Sequence, residues 1–185
     1  MKRKVPKTHP LSRLFTALVE RSFYEYVGLC DPYITIYVSD LLVEFIHVDN
    51  LYKIRNSRGK KLNDVGEMLA ESDITSRAES LEREWEVRKH IGDYTLFFTG
   101  MFPESLRRRI GVMWIDHFKE YINVGKESYR IVAQFDYGEH RKQAPLFKRL
   151  AENFDICVVG LNFVKKELEK MQEPEYLEAK RRILY

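Results

Sequence analysis

The chain has 185 residues, 44% hydrophobic and 32% charged, and its 31 basic side chains face 28 acidic ones for a net charge of +3. That length supports one self-sufficient domain without disulfides or metal, and the near balance of charge excludes the strong basic excess of a dedicated nucleic-acid binder. No window approaches the ~18 uncharged apolar residues of a membrane span.

The basic start Met1 to Lys7 is followed by an apolar run, Leu14 to Val19, that is short, lacks a small-residue cleavage site and runs into Glu20 and Arg21, unlike a signal peptide. Residues 1–9 are expected to form a loosely ordered basic tail. Cys30 and Cys157 belong to no Cys-x-x-Cys pair and read as free, mostly buried thiols. With neither a signal peptide nor a membrane span in the sequence, the expected setting is cytoplasmic.

Six prolines punctuate the chain, and Pro10, Pro32, Pro145 and Pro174 each precede a segment of helical apolar spacing, which suits proline in a first helical turn. The first helix is expected from Pro10 to Val27, with Gly28 as its C-terminal cap. Next, Ile34 to Val38 has strand propensity, yet Ile34, Val38, Leu41, Phe45 and Val48 keep helical spacing beyond the length of a strand. A helix capped by Asp31 is therefore predicted. The polar tract Arg55 to Lys61 reads as a loop, followed by a short helix over Leu62 to Glu71.

A long helix is predicted from about Ser76 to Phe102, stopped by Pro103, and another from Ile110 to Phe135. In the latter, Trp114, Phe118, Tyr121, Ile122, Tyr129 and Val132 share a face interrupted by Gly125, which permits close helix approach. Leu146, Leu150, Phe154, Cys157, Leu161 and Val164 predict one helix from Pro145 to about Met171, and a short charged helix closes the chain over 173–185. The expected fold class is an all-α, single-domain bundle of six or seven helices with no significant sheet.

The most informative stretch runs from Arg88 to Pro103, where Asp93 and two glycines interrupt the most aromatic apolar run. A carboxylate buried there without a partner costs several kcal/mol or shifts its pKa, so Asp93 is expected to be paired or part of a site. On a helical projection Glu86, His90 and Asp93 form a ladder along one edge of the helix, above Phe97 and Gly100, with Tyr94 beside them. The favoured reading is a polar network: His90 against a carboxylate, and Asp93 paired with a lysine or arginine of a neighbouring helix such as Lys119 or Arg130. The rival reading is a ligand, metal or proton-transfer site using Glu86, His90, Asp93 and Tyr94, with His117, Glu120 and Tyr121 as secondary candidates.

Metal chemistry has one further hint, Glu44-x-x-His47 with Asp40 one turn earlier. Carboxylate-bridged di-metal bundles use that motif twice, and here it occurs once, on the polar side of its helix, so no metal and no cofactor is predicted. Nucleophile elbow, phosphate-binding glycine loop and His-Glu-x-x-His are all missing from the sequence. The basic groups at Lys2 to Lys4, Arg55 to Lys61, Arg107 to Arg109 and Lys180 to Arg182 are scattered among acidic neighbours, so nucleic-acid binding is not favoured.

The run HIGDYTLFFTGMFPE, with YVSDLLVEFIHVDNLYKIRN before it and FDICVVGLNFVKKELEK after it, resembles a bacterial all-helical family without an assigned activity. The resemblance covers most of the chain, implies a free-standing helical protein and carries over no catalytic residue. The 13% aromatic content is generous for one bundle core, and the surplus suits an interface. The leading expectation is thus a non-enzymatic interaction, regulatory or structural protein, with a homodimer or another protein as partner; no ligand is specified.

Overall fold

The structure, a computed structural model, describes residues 10–56, 58–72, 80–110 and 114–185, with the side chains of 107–110 and 114 excepted. Nine α-helices lie among them: α1 Pro10–Arg21, α2 Pro32–Phe45, α3 Val65–Ser72, α4 Leu81–Met101, α5 Pro103–Ile110, α6 Trp114–Ala133, α7 Ala144–Glu152, α8 Phe154–Met171 and α9 Pro174–Leu184. They pack as one all-α body, and the described residues contain no sheet, only an isolated antiparallel bridge between Arg55 and Lys61. The expected tail over 1–9, the expected helix start near Ser76, and the side chains of Arg107 to Arg109 and Trp114 lie outside the described residues.

The helix count exceeds the expected six or seven for two local reasons. Pro103 ends α4 but also begins α5, because its fixed φ and missing N–H fit a first turn as well as a stop. The helix expected from Pro145 to Met171 breaks at Asn153 (φ −106°, ψ 16°), whose side-chain amide donates to the Arg149 carbonyl at 2.9 Å and competes with the helical ladder. The first helix stops short of Val27: α1 ends at Arg21, a wider π turn spans Ser22–Tyr26, and Gly28 at φ 71° lets Leu29 N–H close back on the Phe23 carbonyl at 2.8 Å.

Side-chain caps fix the starts of α2, α3 and α4. The Asp31 carboxylate accepts the Tyr33 and Ile34 amides at the head of α2, so the strand-prone Ile34 to Val38 run is helical. Asp64 accepts the Gly66 and Glu67 amides before α3, and Ser80 accepts the Arg83 amide before α4.

Helix α4 is the axis of the body. Residues 90–101 are all buried, so this half of the helix is enclosed on every side. Thr95 and Thr99 satisfy their hydroxyls on the Ile91 and Thr95 carbonyls at 2.7 Å. Close approach is bought with glycine: a Cβ on Gly92 would lie 2.4 Å from the Tyr129 ring, and one on Gly125 2.4 Å from both Thr95 Oγ1 and Phe154 Cζ. These two glycines seat α6 directly on α4.

Candidate functional site

Asp93 sits at the middle of α4 with no exposed surface. Its Oδ1 accepts two phenol hydroxyls, Tyr37 of α2 at 2.5 Å and Tyr129 of α6 at 2.8 Å. Its Oδ2 accepts the Lys89 ammonium at 2.6 Å, one helical turn earlier on α4. Gly92 makes this possible, because the Tyr129 ring lies where any larger residue would stand, and its hydroxyl reaches the adjacent carboxylate. Phe147 of α7 closes the cluster with ring contacts to Tyr37 at 5.5 Å and Tyr129 at 5.6 Å. The Lys89 ammonium lies over the Tyr37 ring at 5.2 Å, a cation–π contact that adds to the ion pair.

The electrostatics follow from this enclosure. Burial pushes the Asp93 carboxyl up, but the Lys89 charge and the hydrogen bonds from Lys89 and Tyr37 outweigh it, and the acid is held below its ordinary range. For Lys89, burial alone would lower the pKa, and the Asp93 charge reverses that to a net rise. Burial first, and then the Asp93 charge, raises Tyr37 and Tyr129 well above the ordinary phenol value. At neutral pH the site is therefore one carboxylate, one ammonium and two neutral phenols, with charge cancelled inside the cluster.

His90 is one turn away and equally buried, but it faces elsewhere. Its Nε2 lies 3.0 Å from the Leu51 carbonyl; a carbonyl only accepts, so Nε2 carries the proton and Nδ1 is left as a lone pair. Nδ1 is buried without a hydrogen-bond partner. The ring packs against Phe45 and Tyr94, and burial, reinforced by the Lys53 charge, lowers its pKa to about 3. It is a neutral imidazole.

The sequence ladder thus comes apart into separate partnerships. Glu86 is exposed and pairs with Arg83 at 3.1 Å, His90 binds Leu51, and Asp93 binds Lys89 and the two tyrosines. Neither Lys119 nor Arg130 supplies the expected cation; it comes from Lys89 on the same helix. Tyr94 is buried and donates to the Asn63 carbonyl at 3.1 Å. Of the secondary candidates, His117 and Glu120 contact each other at 3.2 Å at the surface, and Tyr121 is half-buried against the core. Glu44 pairs with Lys53 at 3.0 Å, while His47 is exposed beside a shallow cleft of about 350 Å³ shared with Glu178 and Arg182. Among the described residues no three His, Cys, Asp or Glu side chains gather as a metal site would need.

Sequence reasoning missed Tyr37, Lys89 and Tyr129. Lys89 had a readable signal, the i,i+4 spacing to Asp93; the two tyrosines come from helices whose placement no local pattern gives. Of the basic groups, those at Lys2 to Lys4 and Arg107 to Arg109 lie outside the described side chains; within Arg55 to Lys61 it is Lys60 that pairs with a carboxylate, Glu67, and at the C-terminal end Lys180 pairs with Glu169, Arg181 with Glu178 and Arg182 with Asp49. Of the two cysteines expected to be mostly buried, Cys157 is buried and Cys30 is exposed. No described helix is long and apolar enough to cross a membrane.

Fold and site together define an all-α helical body organised around a buried, internally neutralised ion pair. No family model, no curated protein and no solved structure matches the chain.

Proposed function

We propose that this protein acts by association, as a cytoplasmic helical interaction, regulatory or structural subunit, and that its buried charges specify packing rather than perform chemistry. The observation that carries this reading is the surplus of apolar surface left over after the core is filled. Tyr33 is 64% exposed, Ile36 50%, Val159 49%, Tyr26 42% and Ile156 41%, while the rings inside the body are already close-packed. Asp93 supports it from the other side, since a carboxylate already accepting three donors has little capacity left for a substrate proton.

Sedimentation of the full chain across the micromolar range tests the reading. Reversible self-association, or a stable complex with a co-purifying protein, is expected. A chain that stays monomeric throughout and co-purifies with nothing overturns it.

A further inference from the structure

Resting on that reading, we infer that the partner is a second copy of this chain, docked antiparallel along the outer face of α8. The inner face of α8 is fixed by Phe154, Cys157, Leu161, Val164 and Leu168, all buried, and by Gly160, whose missing Cβ admits the Phe23 ring. That anchoring leaves Asp155, Ile156, Val159, Phe163, Lys166 and Lys170 within an arc of about 100° on the opposite side. All of them are exposed except Phe163, which is half-buried.

The order of these residues along the helix selects the occupant. The face begins acidic at Asp155, with the exposed Glu152 just before it, turns apolar through Ile156, Val159 and Phe163, and ends basic at Lys166 and Lys170. A second copy running the opposite way sets apolar centre on apolar centre and acidic end on basic end, twice over by two-fold symmetry. The helix dipoles oppose favourably in the same arrangement. A parallel copy would instead stack like charge on like.

The neighbourhood is consistent with an interface. Tyr26 packs its ring on Phe163 at 4.9 Å and widens the apolar strip, and Lys166 lies over the Phe163 ring at 5.3 Å. Asp155 holds Lys126 through one oxygen yet keeps 58% of its side chain exposed. Glu167 lies at the flank, half-buried, and does not interrupt the basic end.

Sedimentation equilibrium of the full chain and three variant sets tests this, with circular dichroism to show that each variant is folded. Val159→Glu, Glu152→Lys with Asp155→Lys, and Lys166→Glu with Lys170→Glu are each expected to weaken the dimer by about tenfold or more. Combining both charge reversals in one chain is expected to restore self-association, since the exchanged ends remain complementary only when the helices run antiparallel. A wild-type dimer insensitive to all of these places the interface elsewhere and overturns this inference while leaving association intact. A dimer weakened by Val159→Glu but not restored by the double reversal overturns the antiparallel arrangement. A wild-type monomer overturns the second-copy assignment itself.

Discussion

Asp93 and His90 stand three residues apart on α4, both enclosed, and they solve burial in opposite ways. Asp93 remains charged because three donors from three helices converge on it; His90 gives up its charge and uses only one of its two ring nitrogens. The difference is one of coupling. The carboxylate ties α2, α6 and the preceding turn of α4 into one arrangement, so any shift of those helices loses several charge-assisted bonds at once. The imidazole ties α4 only to the segment carrying Leu51. A buried ion pair adds little net stability over a well-packed apolar pair, but removing one partner leaves the other uncompensated.

The largest expected effect follows from that asymmetry. Asp93→Ala leaves two phenol hydroxyls without their acceptor and the Lys89 ammonium, whose side chain is 23% exposed, without its counter-charge, and should destabilise the protein by about 3 kcal/mol in urea unfolding. A loss below about 1 kcal/mol would mean that the cluster relaxes to water and does not couple the helices.

Next in size is Tyr129→Phe, which removes one hydrogen bond to a charged acceptor and should cost about 1.5–3 kcal/mol. Tyr37→Phe removes the other phenol hydrogen bond to the same carboxylate and should cost a similar amount. The pH dependence gives a separate reading. A buried tyrosine with a raised pKa contributes stability that is present below its ordinary value of 10.0 and lost as pH rises above it. Tyr129→Phe should therefore flatten the alkaline side of the stability profile, measured as urea midpoint against pH; an unchanged alkaline slope would count against the phenol being held neutral.

How much of this was legible in the sequence depends on the range over which each feature acts. Helix class, including the helical state of Ile34 to Val38, followed from apolar spacing sustained over several turns, and the Asp31 cap from residues within one turn. The break at Asn153 was missed because apolar periodicity continues across it and the polar side chain that redirects the backbone leaves that pattern intact; the helix after Pro103 was missed because proline reads as a stop and 104–109 offers only Leu106 as an apolar marker. Asp93 could be marked as needing a partner from its apolar surroundings alone. Its partners could not be assigned, because the nearest in sequence, Lys89, competes with every cation on the neighbouring helices until packing is known. Gly92 carried part of the answer: beside an aspartate in a buried helix, it marks where another ring must come close.

The smallest effect at neutral pH belongs to His90, and it separates the two residues most cleanly. His90→Leu removes a donor to the Leu51 carbonyl but also an unmet acceptor, so the two changes partly cancel, and urea unfolding at pH 7 should show a change of only about 1 kcal/mol. Acid reveals the rest. Below the ordinary histidine value of 6.5 the unfolded chain takes up a proton that the folded ring refuses until about pH 3. Stability present above 6.5 is thus lost as pH falls through that window, by up to ~1.4 kcal/mol per pH unit. Asp93 adds its own loss only below its ordinary value of 3.8, because its folded pKa is depressed and the unfolded carboxylate protonates first. Between pH 6 and 5, above the range in which the depressed Glu169 carboxylate begins to titrate, the slope reports His90, and His90→Leu should reduce it while Asp93→Ala leaves it in place. If the slope survives in His90→Leu, the imidazole is already protonated or hydrated in the folded protein, and the contrast between a saturated carboxylate and a half-satisfied histidine fails.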